Sequence, residues 1–130
     1  NSLNLEEHIS EIFSIDEILP SAGQGVIALQ CKSDDEYIKN VLKKINDEKT
    51  FKSVQAERNV LKVLEGDCET AVGAISTINN ENITLQGELF SLDGKERFYC
   101  KSSRDINSAA ELGIEIGENL KKQSKGSYKK

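Results

Sequence analysis

Between residues 70 and 101 the hydrophobic period of the chain is two, and on either side of that stretch it is helical; this change limits the fold more than any other feature of the sequence. Thr70 to Ile78 reads as a first strand. Ile83, Leu85 and Leu89 alternate with Thr84, Gln86 and Glu88 in a second, and Glu96 to Lys101 sets Phe98 and Cys100 on one face of a third. The Asn79-Asn80 and Asp93-Gly94 pairs between them tolerate the positive φ that tight hairpins require. Before the strands, Phe51, Val54, Leu61 and Leu64 give an inward stripe to a helix from about Thr50 to Leu64, with Gly66 as its stop. After them, Ile106, Ala109, Ala110, Gly113, Ile116, Gly117 and Leu120 share one face of a helix from about Asp105 to Lys122. The small residues of that helix are expected to let it sit close to a sheet. The order α-β-β-β-α predicts an α+β fold, a three-stranded antiparallel sheet with two helices packed on one face.

Residues 1–49 stand apart from that unit. Leu5, Ile9 and Ile12 are spaced for a short amphipathic helix over residues 4 to 13. Pro20 then stops local helix, Gly23 and Gly25 permit close backbone approach or unusual dihedrals, and Val26 to Cys31 is an apolar run suited to a buried strand. Ser33 with Glu36 forms a candidate capping box for a helix carrying Ile38, Val41, Leu42 and Ile45. The expected organisation is therefore residues 1–49 as the C-terminal end of preceding domains (helix, G-Q-G loop, strand, helix) and residues 50–130 as a small C-terminal domain. A start without Met that runs directly into an amphipathic pattern reads as part of a longer polypeptide. The basic K-K-Q-S-K-G-S-Y-K-K end reads as frayed and solvated.

Composition narrows the function classes. The net charge of -5 over 130 residues would repel a phosphate backbone, which argues against nucleic acid as a partner. No apolar stretch reaches the roughly 20 residues of a membrane span, and no signal peptide pattern opens the chain, so the reading is soluble and cytoplasmic. Cys31, Cys68 and Cys100 are odd in number, widely spaced and accompanied by the single His8, which argues against a metal site and against a disulfide framework. His8 reads as a solvated or capping histidine.

Two segments remain as candidates for chemistry. In L-E-G-D-C-E-T-A-V-G, Cys68 stands near Gly66, which leaves room for a ligand, but Asp67 and Glu69 would raise its pKa if their carboxylates lie close. An inert loop thiol and a site thiol both fit. The G-Q-G at 23 to 25 equally describes a polar pocket lined by backbone N–H groups and Gln24, or a plain tight turn.

Taken together, L-P-S-A-G-Q-G-V-I-A-L-Q-C, a helix, and A-E-R-N-V-L-K-V-L-E-G-D-C-E-T-A-V-G-A resemble the C-terminal part of the porphobilinogen deaminase (hydroxymethylbilane synthase) family over nearly the whole chain. The resemblance implies that Cys68 carries a dipyrromethane cofactor through a thioether, with Gln24 and Gly25 in the loop that approaches it. It also implies a transferase of tetrapyrrole biosynthesis that joins four porphobilinogen molecules into hydroxymethylbilane with release of ammonia, working as a monomer. The family's catalytic aspartate and its arginine-rich substrate surface belong to N-terminal domains, so no catalytic residue is expected in this chain and the N-terminal domains are its expected partner. Glu57-Arg58 matches the family too, and reads as an exposed or interdomain ion pair outside the site. This loop departs from the family pattern in having E-T-A-V-G where many members place a proline, and Asp67 where glycine is common. The alternative reading is a non-catalytic α-β-β-β-α binding module, double-stranded-RNA-binding-like or regulatory. T-A-V-G and D-I-N-S, where such an RNA module would carry lysines, argue against its RNA-binding form.

Overall fold

A computed structural model describes residues 5–65 and 70–130. The carboxylate of Asp47 accepts a hydrogen bond from the Thr50 amide at 2.7 Å and starts α2 (Glu48–Leu64), while Asp35 does the same for the Ile38 amide at 2.9 Å and starts the shorter α1 (Glu36–Lys43). Both caps satisfy N–H groups that a helix cannot bond internally. Strands β1 (Val72–Asn79), β2 (Asn82–Phe90) and β3 (Arg97–Asp105) follow, then a 3-10 turn over Ile106–Ser108 leading into α3 (Ala109–Ser124).

The strands lie in sequence order and pair antiparallel, Ala74 opposite Gly87 and Gly87 opposite Cys100. Period-two alternation sends Ile83, Leu85 and Leu89 to one face, where they join Ala56, Val60 and Leu64 of α2 and Leu112, Ile116 and Leu120 of α3 in a single buried cluster. The architecture is α+β, as the periodicity predicts, with both helices on that face. Gly87 leaves room for α3, since a Cβ there would stand 2.7 Å from Ile116 Cγ2.

The glycines of α3 serve a different contact from the one expected. A Cβ on Gly113 would collide with the carbonyl oxygen of Ala56, and one on Gly117 would lie 2.7 Å from Val63 Cβ. They therefore bring α3 against α2, not against the sheet. The inward stripe of α2 is also rotated from the expected one. Ala56, Glu57, Val60 and Leu64 are buried, Val54 and Leu61 are half-buried, and Phe51 is exposed. The first hairpin turns at Asn80 and Glu81, one residue later than Asn79-Asn80, with Asn79 paired to Asn82 and Asn80 at φ 56°. Gly94, at φ 69°, supplies the second turn as expected.

The largest differences lie in residues 5–49. Of the helix expected over residues 4 to 13, the described residues form only one 3-10 turn, Glu6–His8, and no residue from 5 to 18 is buried. A helix of about ten residues needs a packed face to persist, and no described residue covers this one. Val26 to Cys31 forms no strand, and Ile27 is 89% exposed. A strand exists only by pairing, and this run pairs with neither edge of the described sheet. Ser33 is not the cap of α1, because Asp35 is. Gly66 and Cys68 lie outside the described residues. The basic end is not frayed throughout: Tyr128 is buried, its hydroxyl donating to the Leu64 carbonyl at 3.0 Å, and Leu92 N donates to Ser127 O at 2.8 Å.

Candidate functional site

Residues 19–25 cross the free edge of β1 and touch the small domain on three sides. Successive side chains of a strand point to opposite faces. Glu88 therefore lies on the face of β2 away from the helices, and its Oε1 accepts the Leu19 amide at 2.7 Å. At the edge itself, Ala74 N donates to Pro20 O at 2.9 Å. On the helix side, Glu57 Oε2 accepts the Gly23 amide at 2.8 Å, while its Oε1 accepts both Ser76 N at 2.8 Å and Ser76 Oγ at 2.7 Å.

The edge strand is thus closed by groups other than a fourth strand. Ala74 N and Ser76 N, two positions apart, both point off the sheet, and one meets a carbonyl and the other a carboxylate. Unpaired edge amides invite association with other strands, so this cover has a structural value of its own. Gly73 makes the approach possible, since a Cβ there would stand 2.8 Å from Leu19 Cβ and 2.9 Å from its carbonyl oxygen.

Both carboxylates are buried, which would be costly if they were unpaired. Glu88 is compensated by Arg97, whose Nε and Nη2 reach Oε2 at 2.8 and 2.7 Å, in addition to the Leu19 amide. Glu57 is compensated by three N–H and O–H donors, one on each side of the loop-to-sheet junction and one from the Ser76 hydroxyl. The A-E-R sequence suggests an exposed or interdomain ion pair; Glu57 is instead buried and hydrogen-bonded, partly to Gly23 of the preceding segment, while its neighbour Arg58 is exposed.

The G-Q-G segment occupies a turn over residues 22–25. Gly23 and Gly25 have φ of 72° and 76°, and nothing lies within 4 Å of where their Cβ atoms would be. Conformation, not crowding, asks for glycine here. Gln24 is exposed, and its backbone N–H donates to Ser21 O at 3.1 Å. Gln24 and Gly25 therefore sit on an open turn held to the edge of β1. That strand begins at Val72, four positions after Cys68, which itself lies outside the described residues.

The other thiols are placed differently. Cys100 is half-buried against the core, and burial, with the Glu115 carboxylate, pushes its pKa up. Cys31 is half-buried outside any strand. His8 is mostly exposed, 3.7 Å from Glu7. Among the described residues no cluster of three or more His, Cys, Asp or Glu side chains has the arrangement of a metal site, and no helix is long and apolar enough to cross a membrane.

Sequence reasoning missed Glu57, Glu88 and Gly73. A signal existed for Glu57, which neighbours Ala56 and lies three residues before Val60, on the buried side of α2. Glu88 gave none, because an acid on the polar face of a strand is the ordinary pattern.

Fold and site define a small α+β domain that holds a glycine turn from the preceding segment at its sheet edge. Residues 51–122 match the family model described as porphobilinogen deaminase, C-terminal domain, and residues 1–40 match that described as porphobilinogen deaminase, dipyromethane cofactor binding domain. The chain belongs to the porphobilinogen deaminase family. It is 38% identical over 115 residues to the porphobilinogen deaminase of Desulforamulus reducens, covering 88% of this chain and 37% of that protein. With the porphobilinogen deaminase of Brevibacillus brevis it shares 38% identity over 125 residues, 95% of this chain and 40% of that protein. The corresponding protein of Carboxydothermus hydrogenoformans is 36% identical over 118 residues, 91% of this chain and 38% of its own length. The chain thus spans about two fifths of the length of the relatives it matches.

Proposed function

We propose that this chain is the C-terminal part of a porphobilinogen deaminase and supplies the cysteine that carries the enzyme's dipyrromethane cofactor. Cys68 is the attachment residue, through a thioether, and Gln24 and Gly25 belong to the loop that approaches the cofactor. Residues 1–49 end the preceding domains and residues 50–130 form the cofactor-carrying domain. The N-terminal domains are its partner within one cytoplasmic, monomeric enzyme. That enzyme condenses four porphobilinogen molecules head to tail, with loss of one ammonia at each condensation, and water then cleaves the linear tetrapyrrole from the retained cofactor as hydroxymethylbilane.

The observation that carries this reading is the docking of the G-Q-G turn at the edge of β1, the strand that follows the Cys68 segment. The turn thereby lies against the strand that begins at Val72, four positions after Cys68 in the sequence, which supports a shared site for the two segments. Space open above both glycines, and an exposed Gln24 side chain that offers an amide donor and acceptor, support a role for this turn beside a pyrrole-bearing group. When bound, the cofactor is the primer on which the chain of pyrroles is assembled. A thiol without strong activation suffices to hold it, because the thioether forms once and is not remade each turnover.

Peptide mass mapping of the full-length enzyme containing this segment tests the assignment. A two-pyrrole adduct is expected on the Cys68 peptide, with unmodified thiols at Cys31 and Cys100. Cys68→Ser is expected to lose adduct and activity together, since a hydroxyl is a far poorer nucleophile than sulfur. An adduct on either other cysteine, or full activity of the serine variant, contradicts the proposal.

A further inference from the structure

We propose that Glu57, assisted by Glu88, is a positioning residue: it fastens residues 19–25 to the small domain, so that the G-Q-G turn moves with the sheet and not with the segment before it. The role in turnover rests on the function proposed above, while the clasp itself does not.

The geometry carries this in three parts. First, the strap has contacts on both faces and on the edge of β1, through Glu88, Ala74 and Glu57. Sliding along the strand, or lifting from either face, breaks a charge-assisted hydrogen bond in each case. Second, the hold is selective. Leu19 is buried, whereas residues 5–18 are all exposed and α1 has no buried residue, so anchoring is concentrated at 19–23 within residues 5–43. Third, Glu57 sits at the junction, with one oxygen on the strap and the other on β1, and a single side chain fixes the distance between them. Neither Gly23 nor Gly25 has a side chain to anchor the turn, so its place is set by Ala22, packed against the core, and by the Gly23 amide on Glu57.

This makes a distinction that a merely packed loop would not. If the enzyme's domains shift relative to one another, Gln24 and Gly25 keep their place beside β1, and the flexible joint falls before them, in residues 5–18, none of which is buried. Glu57 acts only through the turn it holds, since its carboxylate oxygens face backbone amides and the Ser76 hydroxyl.

Glu57→Gln in the full-length enzyme tests the proposal, because one carboxylate oxygen becomes an NH2 group that cannot accept. Either Gly23 N or Ser76 N then faces a donor. Hydrogen exchange read by mass spectrometry should quicken by about tenfold in the peptide spanning residues 19–25 or in the β1 peptide holding Ser76, with the β2 peptide unchanged, the effect of one lost hydrogen bond at a local opening. Intact mass should still show the cofactor. Turnover should fall by about tenfold or more in kcat, with KM for porphobilinogen nearly unchanged, as displacement of a positioned group predicts. Gly23→Ala is the second variant: it keeps the N–H and meets no neighbour, but disfavours φ 72°, so it should quicken the same exchange without touching the core. If Glu57→Gln unfolds the protein, Gly23→Ala decides by the same readings. Unchanged exchange at both residues 19–25 and the β1 peptide holding Ser76 in the folded variants overturns the clasp. Quickened exchange with unchanged kcat overturns the positioning role. A wild-type full-length enzyme that retains this exchange protection but does not consume porphobilinogen refutes the positioning role together with the proposed function, and leaves the clasp standing on exchange alone.

Discussion

The hydroxyl of Tyr128 donates to the carbonyl of Leu64 at 3.0 Å, so the turn that follows α3 closes the end of α2, just before the segment that holds Cys68 in the sequence. The last carbonyls of a helix have no internal partner, and Glu65 ends this one in the left-handed conformation at φ 50°. A distant tyrosine thus satisfies a group that local sequence leaves open. Tyr128→Phe should lower stability by about 1 kcal/mol, the value of one buried hydrogen bond, and Tyr128→Ala by about 3 kcal/mol through the cavity it leaves. Urea unfolding of the two variants measures both. Equal, negligible losses would show that the basic end is solvated after all.

The contact between α2 and α3 depends on the absence of two side chains. Gly117→Ala places a methyl group 2.7 Å from Val63 Cβ, and Gly113→Ala drives one into the backbone of α2. Each should destabilise by about 3 kcal/mol, despite the better helix propensity of alanine, because overpacking outweighs it. Thermal melts should place both well below wild type, and Gly113→Ala lower, since a backbone carbonyl cannot rotate aside.

Deleting residues 1–18 should leave the melting temperature almost unchanged, as no residue from 5 to 18 is buried. Removing α3 should unfold the domain, because Leu112, Ile116 and Leu120 each contribute about 1.5 to 3 kcal/mol of burial to a total of only 5 to 15. Circular dichroism of the two truncations provides the comparison, and a fully folded chain without α3 would refute the assigned core.

Cys100 should react slowly with iodoacetamide. Its thiol is pushed above the usual range, first by burial and then by the Glu115 carboxylate, so less thiolate is present at a given pH. Its alkylation midpoint should lie above that of a free cysteine in solution. Replacing Glu115 by Gln should move it only part of the way back, because burial remains.

Arg104 and the Ser102 hydroxyl hold Glu115 below the ordinary carboxylate range, with Arg104 Nε at 2.7 Å from Oε2 and Ser102 Oγ at 3.0 Å from Oε1. A carboxylate depressed on folding stabilises above its unfolded pKa, and that stability is lost as pH falls through the folded value. The difference in stability between wild type and Arg104→Ala should therefore be largest near neutral pH and shrink in acid. It should be modest throughout, since both side chains are about half exposed and solvent screens the pair. Denaturant midpoints across a pH series give the test, and a gap that widens in acid would contradict the sign.

The order α-β-β-β-α was legible because it rests on local rules: the change of hydrophobic period between residues 64 and 109, Asn and Gly where the hairpins turn, and small residues along α3. The joint occurrence of G-Q-G and L-E-G-D-C also identified the family without any coordinates, since sequence order and spacing are enough for that. Burial was a different matter. Whether Glu57 is a surface acid or a buried clasp depends on Gly23 and Ser76 arriving beside it, and whether Tyr128 is frayed or packed depends on the end of α2. The glycines of α3 announced a close contact but not its partner. Val26 to Cys31 has the composition of a strand and yet is none, because composition supplies a tendency and only a neighbouring edge supplies the hydrogen bonds. Periodicity and turn chemistry are properties of a few adjacent residues, so the sequence alone determined them. Pairing, burial and the satisfaction of a carboxylate belong to groups brought together across the chain, so only the tertiary structure decided those.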